Sequence, residues 1–173
     1  MQDKRLQRVN IQRLTPTKTK HYPFFAGECS SGKHNVLLGI GGNMGDVPRR
    51  FEYLYYFLLK SPFVTVVETS PILRNPPFGY MEQDDFYNAV IHIQTMLMPR
   101  ALLDYLLRVE KRFGRKRNFE NGPRTLDIDM IFYDNREIDT DRLTVPHPHW
   151  RKRDSVLIPL AQMKGISWLK RLL

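Results

Sequence analysis

From residue 35 to residue 133 the repeat of apolar side chains switches between the spacing of a strand and that of a helix, and the order of the switches leaves few folds open. Residues 35–40, with Val36, Leu37, Leu38 and Ile40, read as a short buried strand that ends at Gly41-Gly42-Asn43. Asp46 and Pro48 then open a helix in which Phe51, Leu54, Tyr55, Leu58 and Leu59 recur at helical spacing. Residues 63–69 form a second β-rich run, broken by Pro71 and by Pro76-Pro77, and residues 86–95 a third. Pro99 opens a second helix with Leu102, Leu103, Leu106, Val109 and Phe113 on its buried face, and Gly114 closes it. A last strand spans 125–133, and residues 150–163 read as a third helix interrupted by Pro159. The order βαββαβ with an extra C-terminal helix predicts an α+β, ferredoxin-like sandwich.

The last strand carries the chemistry. Asp127 and Asp129 alternate with Leu126, Ile128 and Met130, so both carboxylates project from one face with their Cα atoms about 6.6 Å apart. Paired metals in phosphoryl-transfer sites lie about 3.5–4 Å apart, a separation that two such carboxylates can serve. Asp is depleted in strands and neighbouring like charges repel, which argues against a merely solvated strand face. Just upstream, Arg115, Lys116, Arg117 and Arg124 supply the cations that a metal-bridged polyanion would need. The constellation reads as a magnesium-nucleotide site.

The 173 residues are 42% hydrophobic and 26% charged, enough for one globular domain with a sizeable core. The net charge of +9 is uneven: residues 1–34 hold seven Lys or Arg against two acids, residues 35–173 twenty against sixteen. We therefore expect a basic N-terminal extension over 1–34 and a single catalytic domain over 35–173. A modest excess of cations near two carboxylates fits a bound polyphosphate better than a nucleic-acid track. The single Cys29 excludes an internal disulfide, and no apolar run reaches the ~18 residues of a membrane span. The expectation is a cytoplasmic monomer with neither nucleic acid nor membrane as partner. Two readings from other classes stay open on the residues alone: a βαββαβ sheet that stacks RNA bases, and a two-metal phosphatase or nuclease.

Gly114-Arg115-x-Arg117 followed by Gly122-Pro123-Arg124-Thr125-Leu126-Asp127-Ile128-Asp129 resembles the signature of the 6-hydroxymethyl-7,8-dihydropterin pyrophosphokinase family of folate biosynthesis. Further blocks agree in the same order: Gly39-Ile40-Gly41-Gly42-Asn43-Met44-Gly45-Asp46, Asn75-Pro76-Pro77-Phe78-Gly79, Gln83-x-x-Phe86-x-Asn88, and Leu143-Thr144-Val145-Pro146-His147 with Arg153 beyond. Five ordered blocks are far more specific than one motif.

The resemblance implies transfer of pyrophosphate from ATP to the pterin, releasing AMP, with two Mg²⁺ on Asp127 and Asp129. It implies catalytic roles for Arg115, Arg117, Asp127 and Asp129, and ATP contacts from Arg117, Arg124, Met130, Thr144, His147 and Arg153. Asn75, Pro76, Phe78, Phe86 and Asn88 would hold the pterin. Residues 116–122, polar and glycine-bearing, are expected to act as a mobile lid. Glu110 also matches a family glutamate, although a polar-face helix residue reads the same. This chain departs from the family pattern at Gly42 (usually Ser), Phe86 (usually Tyr) and Ser155 (often Phe).

Overall fold

The computed structural model describes residues 14–27, 33–77, 79–116, 119 and 122–169. In chain order they form β1 (Thr15–Thr17), β2 (Phe24–Phe25), β3 (His34–Gly42), α1 (Val47–Leu59), β4 (Val64–Thr69), β5 (Ile72–Asn75) and β6 (Phe86–Thr95). There follow α2 (Pro99–Arg112), β7 (Asp127–Tyr133), β8 (Ile138–Asp139), β9 (Thr144–Val145), a 3-10 turn (Trp150–Lys152) and α3 (Asp154–Leu160). Both long helices start as their residues dictate. The Asp46 side chain accepts the Arg49 N–H at 3.1 Å ahead of α1, and Pro99 takes the first position of α2, where a missing N–H costs nothing. Gly114, at φ +79°, ends α2 in the left-handed region that glycine enters freely.

The main sheet is antiparallel, and its centre runs β4-β6-β3-β7. That is the strand order of the expected ferredoxin-like sandwich, so the fold inferred from the periods is the observed one. The ten-residue β6 is long enough to take two partners on one edge: β4 along Ile91–Thr95 and β5 along Phe86–Asn88. The chain passes from one to the other at Ser70-Pro71, where Ser70 exchanges bonds with Val90 through its N–H and its hydroxyl, each at 2.9 Å. Pro71 therefore interrupts the ladder without ending the strand region, and β5 continues beyond it. Residues 14–27 add β1 to the outer side of β5 and β2 to β4, and they bury Tyr22 completely. Residues 1–13 lie outside the described residues.

Apolar side chains fill both faces of the sheet. Val36, Leu38, Ile40, Ile128 and Met130 pack against Phe51, Leu54 and Leu58 of α1 and Leu102 and Leu106 of α2. Leu37, Val90, Ile131 and Phe132 pack on the opposite face with Trp150, Val156 and Leu160. Ile131 is a bulge, because Leu37 pairs with Phe132 and Leu38 with Met130. The bulge lets two consecutive residues face α3 and turns Tyr133 toward the helices. Asp127 and Asp129 precede it and keep the common face expected of them.

The C-terminal helix expected over 150–163 is corrected: Trp150–Lys152 is a 3-10 turn, and the α-helix runs only from Asp154 to Leu160. Its break falls at Arg153, which is extended (φ −108°, ψ 107°), while Pro159 sits buried inside the seven-residue α3. Arg153 leaves helical geometry with its guanidinium 3.7 Å from Asp129. Among the described residues no helix is long and apolar enough to cross a membrane.

Candidate active site

The site lies on the α3-facing side of the sheet, along one cross-strand row. Asn88 on β6 pairs with Gly41 on β3, and Gly41 pairs with Asp127 on β7. Two strand spacings put Asn88 and Asp127 about 10 Å apart, with no side chain between them. Glycine leaves room at that middle position, because a Cβ on Gly41 would stand 2.7 Å from Asn88 Oδ1 and force the amide to move. At the neighbouring Gly42 a Cβ would meet the Thr125 carbonyl oxygen at 2.5 Å, so this backbone would have to shift to take the Ser usual there.

At the β7 end Asp127 is held by two arginines. Arg115 donates to Oδ1 at 2.7 Å and Arg124 to Oδ2 at 2.8 Å. Arg115 is in turn gripped by Glu110, which is 3% exposed and accepts the Ile128 N–H at 2.7 Å. Burial pushes the Glu110 carboxyl up, opposed by the Ile128 N–H and by Arg115. Asp129 is less well compensated, since its nearest cation among the described residues is Arg153 at 3.7 Å. Desolvation first, and then the Asp127 charge, raise its carboxyl to about 6 even though two-fifths of the side chain meets solvent.

His147 lies between Pro146 and Pro148, anchored by its N–H on the Ile131 carbonyl at 2.9 Å. Desolvation, with Arg153 and His149, lowers it to about 4, so it is neutral at physiological pH. Its Nδ1 accepts the His149 N–H at 3.2 Å, which leaves the proton on Nε2. It is thus a neutral donor to any anion nearby rather than a cation.

At the β6 end Asn88 donates to the Asn75 side-chain carbonyl at 2.6 Å, and Asn75 donates to the Pro76 carbonyl at 3.0 Å. The Arg124 guanidinium lies 5.4 Å from the Phe86 ring centroid and so spans from the aromatic end of the row to Asp127. The structure therefore brings together Arg115, Arg124, Asp127, Asp129 and Arg153 at one end and Asn75, Pro76, Phe86 and Asn88 at the other.

Other expected residues stand apart. Met130 is 4% exposed in the core beneath α1 and α2, on the face opposite the aspartates, so a nucleotide contact is open only to its backbone. Thr144 lies on β9, its hydroxyl 3.4 Å from Asp139 on β8. Ser155 is half-buried on α3, and Trp150 packs edge-on to Phe132 at 4.9 Å within the apolar cluster. Arg117, Phe78 and most of the expected lid at 116–122 lie outside the described residues.

One organising residue escaped the sequence reading. Asn43, 4% exposed, donates to Gln83 Oε1 at 2.9 Å and to the Asp84 carbonyl at 3.0 Å, while its Oδ1 accepts the Arg124 N–H at 3.0 Å. It ties the β3–α1 turn to the loops that precede β6 and β7. Both Asn43 and Gln83 sit inside recognised motif blocks, but spacing cannot show that they meet.

Residues 37–165 match the 7,8-dihydro-6-hydroxymethylpterin-pyrophosphokinase family. The chain belongs to this family. Among its relatives is a 2-amino-4-hydroxy-6-hydroxymethyldihydropteridine pyrophosphokinase of Campylobacter jejuni, 40% identical over 146 residues, covering 84% of this chain and 93% of the relative. Proteins of the same name from Helicobacter pylori (40% over 130 residues, 74% of this chain and 80% of the relative) and Bacillus subtilis (36% over 128 residues, 74% and 77%) are also similar. The family span holds the whole Asn88–Gly41–Asp127 row and both arginines on Asp127. It leaves β1 and β2 outside.

Proposed function

We propose that this pyrophosphokinase transfers the terminal pyrophosphate of ATP to the hydroxymethyl group of 6-hydroxymethyl-7,8-dihydropterin, releasing AMP, with two Mg²⁺ held by Asp127 and Asp129. The observation that carries the reading is the row itself: an amide pair and an aromatic ring at one end, two carboxylates among arginines at the other, and a glycine floor between. A flat heterocycle at Asn88 and Phe86 would lie across Gly41 with its hydroxymethyl pointing toward Asp127. Asn75 fixes which way the Asn88 amide presents its groups, which selects a heterocycle of matching polar edge. Arg115, Arg124 and Arg153 would orient the phosphates, with planar forks suited to two bonds each, and His147 would donate from Nε2.

The aspartates fit Mg²⁺, which takes one or two carboxylates plus substrate phosphates. Asp129 in particular carries a charge that, among the described residues, is met by a cation only at 3.7 Å, from Arg153. Bound there, the metal would offset the charge on the transferring phosphates. The residues' part is positioning: the amide pair and Phe86 at one end and the arginines at the other would bring the hydroxymethyl oxygen toward the β-phosphorus.

Phosphorus NMR with ATP, Mg²⁺ and the pterin tests the reading. AMP formed only with pterin present supports it, whereas inorganic phosphate formed without pterin would replace it with hydrolysis. A second measurement follows from Asp129. Metal binds the deprotonated carboxylate, so a group raised to about 6 should lose Mg²⁺ affinity as pH falls through that value, by up to about tenfold per unit. The Mg²⁺-dependent rise in Tm, taken without nucleotide so that ATP's own titration is absent, should shrink between pH 7.5 and 5. A rise independent of pH would remove Asp129 from the metal site.

A further inference from the structure

The segment that the family match leaves out runs along the strand that carries Asn75. β1 pairs with β5 in the register Thr15 to Arg74, Pro16 to Leu73 and Thr17 to Ile72. On its other side β5 pairs Leu73 with Asn88 and Asn75 with Phe86. β5 is only four residues long, bounded by Pro71 and by Pro76-Pro77, none of which can donate a ladder bond. Without β1 it would be a short outer strand with one partner, the kind of element that opens first. Asn75 stands at its last position, and its side-chain bond to Asn88 requires β5 to be in register.

The segment is built to stay in place. Past β1, Glu52 on α1 accepts from the Thr19 hydroxyl at 2.5 Å and the His21 N–H at 2.8 Å, and it pairs with His21 Nδ1 at 2.7 Å. The His21 ring stacks on Tyr55 with centroids 4.1 Å apart, and the buried Tyr22 hydroxyl donates to the Phe51 carbonyl at 3.1 Å. β2 then joins β4, with Phe24 opposite Thr69. Three anchors, on β5, α1 and β4, fix a strap that lies outside residues 37–165 of the family match.

We infer that β1 is a positioning element for the pterin end of the site: by giving β5 a second partner it holds Asn75 on Asn88 and so sets affinity for the heterocycle. The inference rests on the pterin reading above. Because Pro16 has no N–H, the ladder bonds to β5 must come from Thr15 and Thr17. Thr17→Pro in the full-length chain therefore removes one of the two N–H donors β1 offers β5 and weakens the contact while leaving the Glu52 and Tyr22 anchors intact.

The expected result is a KM for the pterin about five- to tenfold higher, as when the competent arrangement is populated about 10–20% of the time. kcat and the KM for MgATP should stay within about twofold, and the Arg74 and Asn75 amides should exchange faster with solvent. An unchanged pterin KM despite faster exchange would overturn the inference, and so would an equal rise in both KM values, which marks general loosening. If Thr17→Pro does not fold, Thr15→Pro decides by the same measurements. A parent enzyme that ignores the pterin altogether would instead overturn the functional reading, so the two failures are distinguishable.

Discussion

Asp129→Asn should lower kcat by about a thousandfold yet leave the metal-free protein at least as stable as the parent. The first half follows from losing one of two hard anions at a metal-assisted transfer, where the ion supplies several kcal/mol and each ~1.4 kcal/mol is tenfold in rate. The second half follows from the raised carboxyl. Its folded pKa of about 6 lies above the ordinary 3.8, so ionisation is disfavoured in the folded state. The stability linked to its proton is fully present below about 4 and lost as pH rises through 6. Asn carries no such charge, so at pH 8 the variant regains what the parent has lost, and below pH 4 the difference vanishes. The gain is small, because solvent reaches the group and screens it.

Asp127→Asn should also abolish turnover but behave oppositely in stability, since Arg115 and Arg124 both lose a charged partner at under 3 Å. Thermal melts in EDTA beside kcat at saturating MgATP check both variants. Near-parental kcat in Asp129→Asn would sink the metal assignment, and equal destabilisation in the two would show that Asp129 is an ordinary ion-pair member.

That contrast could not have been read from the chain. The sequence places both aspartates on one strand face by period alone, and the face is the observed one. It cannot show that Arg115 and Arg124 converge on Asp127 from residues 12 and 3 positions upstream while Asp129 is left to a weak partner, because convergence depends on where α2 ends and how the loop returns. The long elements were legible for a related reason: nine- and ten-residue strands and thirteen- and fourteen-residue helices show enough repeats to reveal their period. β1, β2 and β5 have two to four residues each and show none, so their strand character comes from partners far away in sequence. The bulge at Ile131 is likewise set by the pairing of β7 with β3. Likeness alone ties Met130 to the nucleotide, whereas its alternation with Asp127 and Asp129 puts its side chain on the helix-facing side.

Glu110→Ala should be the most destabilising single change at the site, at about 3–5 kcal/mol, the range for removing one partner of a buried ion pair. In the sequence Glu110 reads as a polar-face helix residue; in the fold it is 3% exposed and meets the edge of the sheet. β7 ends the main sheet, so its outward N–H groups have no further strand to pair with, and the Glu110 carboxylate takes that of Ile128 while gripping Arg115. Truncation would leave a buried N–H without its acceptor and a guanidinium, 12% exposed, with Asp127 alone. Against a typical total of 5–15 kcal/mol that is at least about a fifth of the stability.

Glu110→Gln should cost only about 1 kcal/mol, because the amide oxygen can still accept from Ile128 and Arg115. The loss of charge is partly offset, since burial already holds the carboxyl up and its partners do not fully repay desolvation. Ile128 lies between Asp127 and Asp129, so freeing its N–H should also disturb both carboxylates, and kcat should fall in Glu110→Ala far more than in Glu110→Gln. Denaturant unfolding with an unchanged slope measures the stability terms. A Glu110→Ala cost below about 1 kcal/mol would mean that water replaces the carboxylate at Ile128, and that Arg115 needs only Asp127 to keep its place.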